Sequence, residues 1–212
     1  MSHIIVFGDS ITLGCWDSKG GWVQRIRARL DKKNGSLPGK PCVLVYNLGI
    51  SGDTTAGKVK RFSFEIESRL DKEEGNIILF SGGDNDSSYI LKTKKNRVPL
   101  PRFKRNVRRL IAMARKYSTR IAFTGPPPSN FSILDPIPWY TSEAYRETHV
   151  RRYNDALKKI CAQEKIPFLN FYSKLNNSAY ISSLEDGIHP LDKGHAMVEK
   201  IVWSFLKKKK WI

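Results

Sequence analysis

His3-Ile4-Ile5-Val6-Phe7-Gly8-Asp9-Ser10-Ile11-Thr12 is the stretch whose reading decides the fold. Four consecutive apolar residues, two of them isoleucine and one valine, show no in-out alternation. They are cut off at once by a glycine and a polar turn. A strand buried on both faces reads this way, as in a parallel sheet covered by helices. Four more runs have the same character, at residues 42–46, 76–80, 120–124 and 167–171. The first four of the five runs end in Gly or Asn turns.

Between these runs the apolar spacing changes from continuous to helical. Residues 21–33 set Trp22, Ile26 and Leu30 four apart, and residues 59–70 do the same with Phe62, Ile66 and Leu70. Residues 103–117 carry Val107, Leu110, Ile111 and Ala114. Residues 142–163 carry Tyr145, His149, Tyr153, Leu157 and Ile160, and residues 193–208 carry Met197, Ile201 and Phe205. Five alternations of strand and helix predict an α/β fold, a parallel sheet with helices on both faces. The 212 residues are expected to form one domain.

Open parallel sheets bind ligands beyond the carboxyl ends of their strands. Three polar turns besides Gly8-Asp9-Ser10 are expected on that edge: Ser51-Gly52-Asp53-Thr54, Gly83-Asp84-Asn85-Asp86 and Asp186-Gly187-Ile188-His189-Pro190. They are read as lying at or shortly after the ends of runs two, three and five.

A serine hydroxyl is a weak nucleophile until a base takes its proton. Ser10 in a strand-end turn is a candidate nucleophile, although Asp and Ser are equally at home as helix caps. It is not the Gly-x-Ser-x-Gly elbow, because Thr12 stands where the second glycine belongs. Of four histidines, His3 opens a strand, His149 has the spacing of a packed helix face and His195 lies in the last helix. His189 is in a turn with Asp186 three residues before it, so one segment offers a base and a carboxylate to orient it. Acyl transfer also needs donors for the oxyanion. The Gly52 backbone N–H and the Asn85 side-chain amide are candidates. Gly52-Asp53-Thr54-Thr55-Ala56-Gly57-Lys58 mimics a phosphate loop, but Val59 replaces the hydroxyl residue that would ligate Mg²⁺. Phe131, Trp139 and Tyr140, in a proline-bracketed loop after the fourth run, are expected to wall a pocket together with Asp9 and Asp84.

Composition narrows the class. The first residues lack a basic leader and no run approaches the ~18 apolar residues of a membrane span, so a cytoplasmic address is expected. Cys15, Cys42 and Cys161 are odd in number and widely spaced, which suggests neither a zinc site nor a disulfide framework. Cys42 and Cys161 are read as core residues and Cys15 as more accessible. The formal net charge is +17, and residues 87–134 contain no acid but twelve Lys and Arg. Together with Lys207–Lys210, this segment is either a solvated face or an attractor for an anionic surface or polymer.

In order and context, the four turns resemble the SGNH hydrolase family, also called GDSL esterases and lipases. Gly8-Asp9-Ser10-Ile11-Thr12 resembles its first block and Asn47-Leu48-Gly49-Ile50-Ser51-Gly52-Asp53-Thr54 its second. Gly83-Asp84-Asn85-Asp86 matches Gly-x-Asn-Asp, and Asp186-Gly187-Ile188-His189 matches Asp-x-x-His. The resemblance implies a three-layer α/β/α sandwich, flavodoxin-like, with five parallel strands in the order 2-1-3-4-5. It implies Ser10 as nucleophile, His189 as base and later acid, and Asp186 as its orienting carboxylate. The implied oxyanion hole is the Ser10 and Gly52 backbone N–H groups and the Asn85 side chain. No metal and no cofactor are implied. The implied substrates are carboxylic esters, with short acyl or acetyl esters favoured and sugar acetates, lysophospholipids and thioesters as alternatives. An acid at Asp84, beside the oxyanion donor, is a departure that would disfavour anionic substrates if it faced the pocket.

Overall fold

A computed structural model describes residues 2–35, 42–71 and 75–212. The main sheet contains β1 (Ser2–Gly8), β2 (Val43–Gly49), β3 (Ile77–Phe80), β6 (Arg120–Thr124) and β8 (Phe168–Leu169), all parallel, in the order β2-β1-β3-β6-β8. These are the five apolar runs in the expected order. A second, antiparallel sheet of three two-residue strands was not foreseen. In it β4 (Tyr89–Ile90) lies between β5 (Lys95–Asn96) and β7 (Glu143–Ala144).

The buried strands explain themselves by period two. Ile4 and Val6 point to one face with Val45, Ile77, Leu79 and Ala122, where α2 (Gly21–Gly35) and α9 (Asp192–Lys208) supply Trp22, Ile26, Val198 and Val202. Ile5 and Phe7 point to the other face with Ile78, Phe80 and Phe123. There α3 (Thr55–Glu67), α5 (Leu100–Ala114) and α6 (Glu147–Gln163) supply Phe62, Val107, Leu110, Leu157 and Ile160. Each such fully buried side chain is worth roughly 1.5–3 kcal/mol. The described residues also form four short α-helices, α1 (Ser10–Leu13), α4 (Asp84–Ser87), α7 (Phe171–Leu175) and α8 (Ser178–Ile181), and a 3₁₀ turn at Phe131–Ile133.

Element ends differ from the sequence reading for local reasons. Helix α3 begins at Thr55 rather than Val59, because Thr54 caps it by accepting from Gly57 N. Helix α5 begins at Leu100, since Pro101 is tolerated in a first turn. Strand β8 is two residues long because Asn170 caps α7 and turns Phe171 into a helix. Residues 142–146 are not helical. Glu143 and Ala144 pair with β4, and α6 starts only at Glu147. Cys161 is buried, whereas Cys42 is only half-buried at the sheet edge and is not a core residue.

Candidate active site

Ser10 is the first residue of α1, immediately beyond β1. Asp9 caps this turn by accepting from Ile11 N at 3.1 Å, and the Gly14 N–H closes it on the Ser10 carbonyl. The turn nests against the end of β2 closely enough that a Cβ on Gly49 would lie 2.2 Å from Leu13 N. A glycine there is a packing requirement.

Ser10 Oγ lies 2.8 Å from His189 Nε2, and His189 Nδ1 lies 2.6 Å from Asp186 Oδ2. The Asp186 carboxylate is itself held. Its Oδ1 accepts from the backbone N–H groups of Ile188 and His189, and its Oδ2 from Trp16 Nε1 at 3.3 Å. Burial works to raise this carboxyl, but the His189 side-chain and backbone bonds outweigh it and bring the pKa to about 2. Gly187 between them has φ +86°, which a side chain would strain. The sequence reading put this segment at or shortly after the end of run five, but it comes seventeen residues beyond the end of β8. The helices α7 and α8 intervene, and the Gly187 carbonyl is anchored across the cleft by the Asn130 N–H.

Gly52 and Asn85 come from the ends of β2 and β3. The turn from Ile50 to Asp53 is closed by Asp53 N donating to the Ile50 carbonyl, with Gly52 at φ +72°. Asn85 is buried in α4 and its Oδ1 accepts from the Tyr145 hydroxyl at 2.8 Å, which leaves its NH₂ as the free end. Among the described residues the Ser10 and Gly52 N–H groups have no hydrogen-bond acceptor. Three donors and the Ser10 hydroxyl thus share one cavity of about 230 Å³.

The cavity is lined by Ser10, Gly52, Asn85 and His189, with Trp139, Tyr140, Ile137 and Ile188 as apolar wall and Arg97, Glu143, Asp84 and Tyr145 as polar wall. Trp139, Tyr140 and Asp84 therefore occupy the expected pocket. Two expected residues do not. Phe131, in a 3₁₀ turn, packs partly buried against the apolar core instead. Asp9 is buried behind the cavity, where Asp9 Oδ2 and Lys58 Nζ flank Gly82. Burial and the adjacent Asp84 carboxyl push Asp9 well above the usual carboxylate range. Arg97 adds a positive charge to the same wall as Asp84. An anionic substrate therefore meets a cation as well as Asp84 on this wall.

Tyr145, Arg97, Glu143 and Trp16 escaped the sequence reading. Tyr145 had the four-residue spacing of a helix stripe, and Arg97 was one cation among twelve. No local pattern marks them, since only the unforeseen small sheet brings the first three to the cavity. Among the described residues no group of three or more His, Cys, Asp or Glu is arranged to hold a metal ion.

A parallel sheet with a serine, a histidine and a carboxylate in line at its carboxyl edge is the layout of a serine hydrolase. The sequence profile of the GDSL-like lipase/acylhydrolase family matches residues 6–197, and the chain belongs to that family of ester-hydrolysing enzymes. It is similar to the isoamyl acetate-hydrolyzing esterase of Saccharomyces cerevisiae, at 26% identity over 95% of this chain and 86% of the yeast protein. It is also similar to the esterase TesA of Pseudomonas aeruginosa, at 24% identity over 96% of this chain and 87% of that one. The crystal structure of a lipase/acylhydrolase from Enterococcus faecalis superposes with a TM-score of 0.71. It covers 99% of this chain and 97% of that one at 22% identity, which bears on the fold alone.

Proposed function

We propose that this protein hydrolyses short-chain carboxylic esters through an acyl-enzyme on Ser10. The observation that carries the reading is the continuous line from Ser10 Oγ through the His189 ring to Asp186, at 2.8 and 2.6 Å. His189 Nε2 takes the serine proton as Oγ attacks the ester carbonyl. The Ser10 and Gly52 N–H groups and the Asn85 NH₂ receive the oxyanion. The imidazolium then protonates the leaving alkoxide. Water, deprotonated by the same nitrogen, attacks the acyl carbonyl, the imidazolium returns that proton to Ser10 Oγ as the acyl–oxygen bond breaks, and the acid leaves. Asp186 stays ionised throughout and holds Nδ1–H.

A cavity of about 230 Å³, lined on its apolar side by Ile137, Trp139 and Ile188, supports a small acyl group, since drug-sized pockets begin near 300 Å³. The yeast relative's isoamyl acetate activity points the same way. The test is p-nitrophenyl ester turnover from C2 to C12, with Ser10→Ala beside the wild type. Turnover is expected to peak at C2–C4 and to vanish in Ser10→Ala. Wild-type turnover in Ser10→Ala overturns the mechanism, and a flat profile to C12 overturns the chain-length preference in favour of a lipid or thioester substrate.

We also propose that the basic face tethers the enzyme to an anionic surface or polymer. Arg102, Lys104, Arg105 and Arg109 are exposed on α5, with no described carboxylate within ion-pairing distance.

A further inference from the structure

We propose that the small antiparallel sheet is an oxyanion-hole brace, with Tyr145 the positioning residue for Asn85 and Arg97 the positioning residue for Gly52. The inference rests on the esterase reading above. It goes beyond it by assigning work to an element that touches neither the nucleophile nor its base.

The need for a brace is chemical. The amide of Asn85 has two ends of nearly equal size and opposite polarity. Turned one way it donates N–H to the developing oxyanion. Turned the other way it presents a carbonyl oxygen that repels it. The Tyr145 hydroxyl selects between them by donating to Oδ1 at 2.8 Å. Tyr145 is 8% exposed, and burial together with the nearby Asp84 holds its phenol well above the usual range, so the donor proton is retained.

Arg97 does the corresponding work at Gly52. Its NH1 donates to the Gly52 carbonyl at 3.3 Å, which holds the residue without engaging the N–H that serves the hole. That N–H belongs to a turn with φ +72° at Gly52, where the chain has glycine freedom to lose. Arg97 is anchored in turn. Its NH2 bonds Glu143 Oε1 at 3.0 Å, its backbone N–H donates to the Ser88 carbonyl at 2.7 Å, and the other Glu143 oxygen accepts from Ser88 Oγ.

Both positioning residues follow directly on strands of the small sheet, Arg97 after β5 and Tyr145 after β7. Those strands pair with the two edges of β4. The sheet is tied to the helix that carries Asn85, because Asn96 Nδ2 donates to the Ser87 carbonyl at 2.7 Å. Gly52, Asn85 and their two holders therefore form one hydrogen-bonded unit.

A double-mutant cycle tests this, with p-nitrophenyl acetate as substrate and a fluorophosphonate titration to count active sites. Asn85→Ala is expected to lower kcat by about 10²-fold, the loss typical of one oxyanion donor. Tyr145→Phe keeps the ring and removes the hydroxyl. It is expected to lower kcat about tenfold with KM within about twofold, a smaller loss because the donor is misdirected rather than deleted. In the Asn85→Ala background the same change is expected to cost nothing further. Additive losses, or a fall in titratable sites that accounts for the whole effect, would overturn the assignment. Should Tyr145→Phe fail to fold, Arg97→Met supplies the second arm, with kcat expected about tenfold lower at unchanged KM. Wild-type kcat in Arg97→Met would overturn it. Failure of the esterase reading itself shows separately, as turnover surviving Ser10→Ala.

Discussion

Asp186 shows how much of the site a single carboxylate organises. Four donors converge on it, two from the backbone of its own turn, one from His189 Nδ1 and one from Trp16. The backbone bonds to Oδ1 fix the turn in which His189 sits and Oδ2 faces Nδ1, so one carboxylate sets both where the imidazole is and which tautomer it holds. Asp186→Asn keeps the shape and loses the charge. The amide cannot stabilise the imidazolium, and its NH₂ would face Nδ1–H or force the other tautomer. We expect kcat/KM to fall by about 10³–10⁴-fold with little change in the thermal midpoint. The comparison is steady-state hydrolysis of p-nitrophenyl acetate against differential scanning fluorimetry of the same preparations. A loss below tenfold would remove Asp186 from the proposed mechanism. This residue pair was legible from sequence because Asp-x-x-His is local. Tyr145 was not, since its partner is sixty residues away and nothing in its neighbourhood signals a polar task.

At the scale of elements, strands were read more reliably than helix starts. A continuous apolar run such as residues 3–7 has one stable fate in this context, burial between two layers. A helix start depends on a cap, and Thr54 and Asn170 look like many other loop residues until the chain is folded. Residues 143–144 were misread because strand β7 is stabilised almost entirely by its partner β4, which is itself two residues long. The joint between α3 and α4 carries a further consequence. Asp86, fully buried in α4, accepts from the backbone N–H and the hydroxyl of Thr55 at the start of α3. Burial dominates its environment. Against the attraction of Lys58 and the Thr55 bonds, and with Asp84 adding repulsion, the carboxyl is raised to about 6. A carboxylate raised in the folded state binds more protons folded than unfolded between its unfolded value, near 3.8, and about 6. Its contribution is therefore fully present below pH 3.8 and is lost as pH rises through 6. Relative to Asp86→Asn, the wild type should lose thermal midpoint between pH 4 and 6.5, read from paired melts across that range. Parallel melting curves at every pH would show that Asp86 does not titrate there.

At the scale of the whole molecule the basic charge lies on both faces of the sheet. Helices α5 and α6 carry nine Lys and Arg against two acids, and α2 and α9 carry nine against three, but of these four only α5 is wholly without acids. Salt bridges draw off part of it, as with Arg115 and Glu164 or Arg151 and Glu147. The outward row of α5 keeps Arg102, Lys104, Arg105 and Arg109 exposed, and α6 beside it adds exposed Lys158 and Lys159. The inner row of the same helix, Phe103, Val107, Leu110 and Ile111, is fully engaged with the sheet. Outward substitutions should consequently spare both fold and site. Cations facing solvent at this density bind polyanions by releasing counterions, and such binding falls steeply with salt. Wild-type protein is expected to stay on heparin to about 0.5 M NaCl. Arg105→Glu with Arg109→Glu should lower the elution salt clearly and leave p-nitrophenyl acetate turnover unchanged, since neither residue lines the catalytic cavity. Elution of the wild type below about 0.15 M, where screening already reaches within roughly 8 Å, would reduce the basic face to a solvated surface. Co-sedimentation with phosphatidylserine vesicles, compared with heparin at matched salt, then separates a membrane surface from a soluble polymer. A tether to lipid predicts retention on vesicles that the same two charge reversals abolish, and it would put the enzyme beside esters partitioned into that surface rather than those free in water.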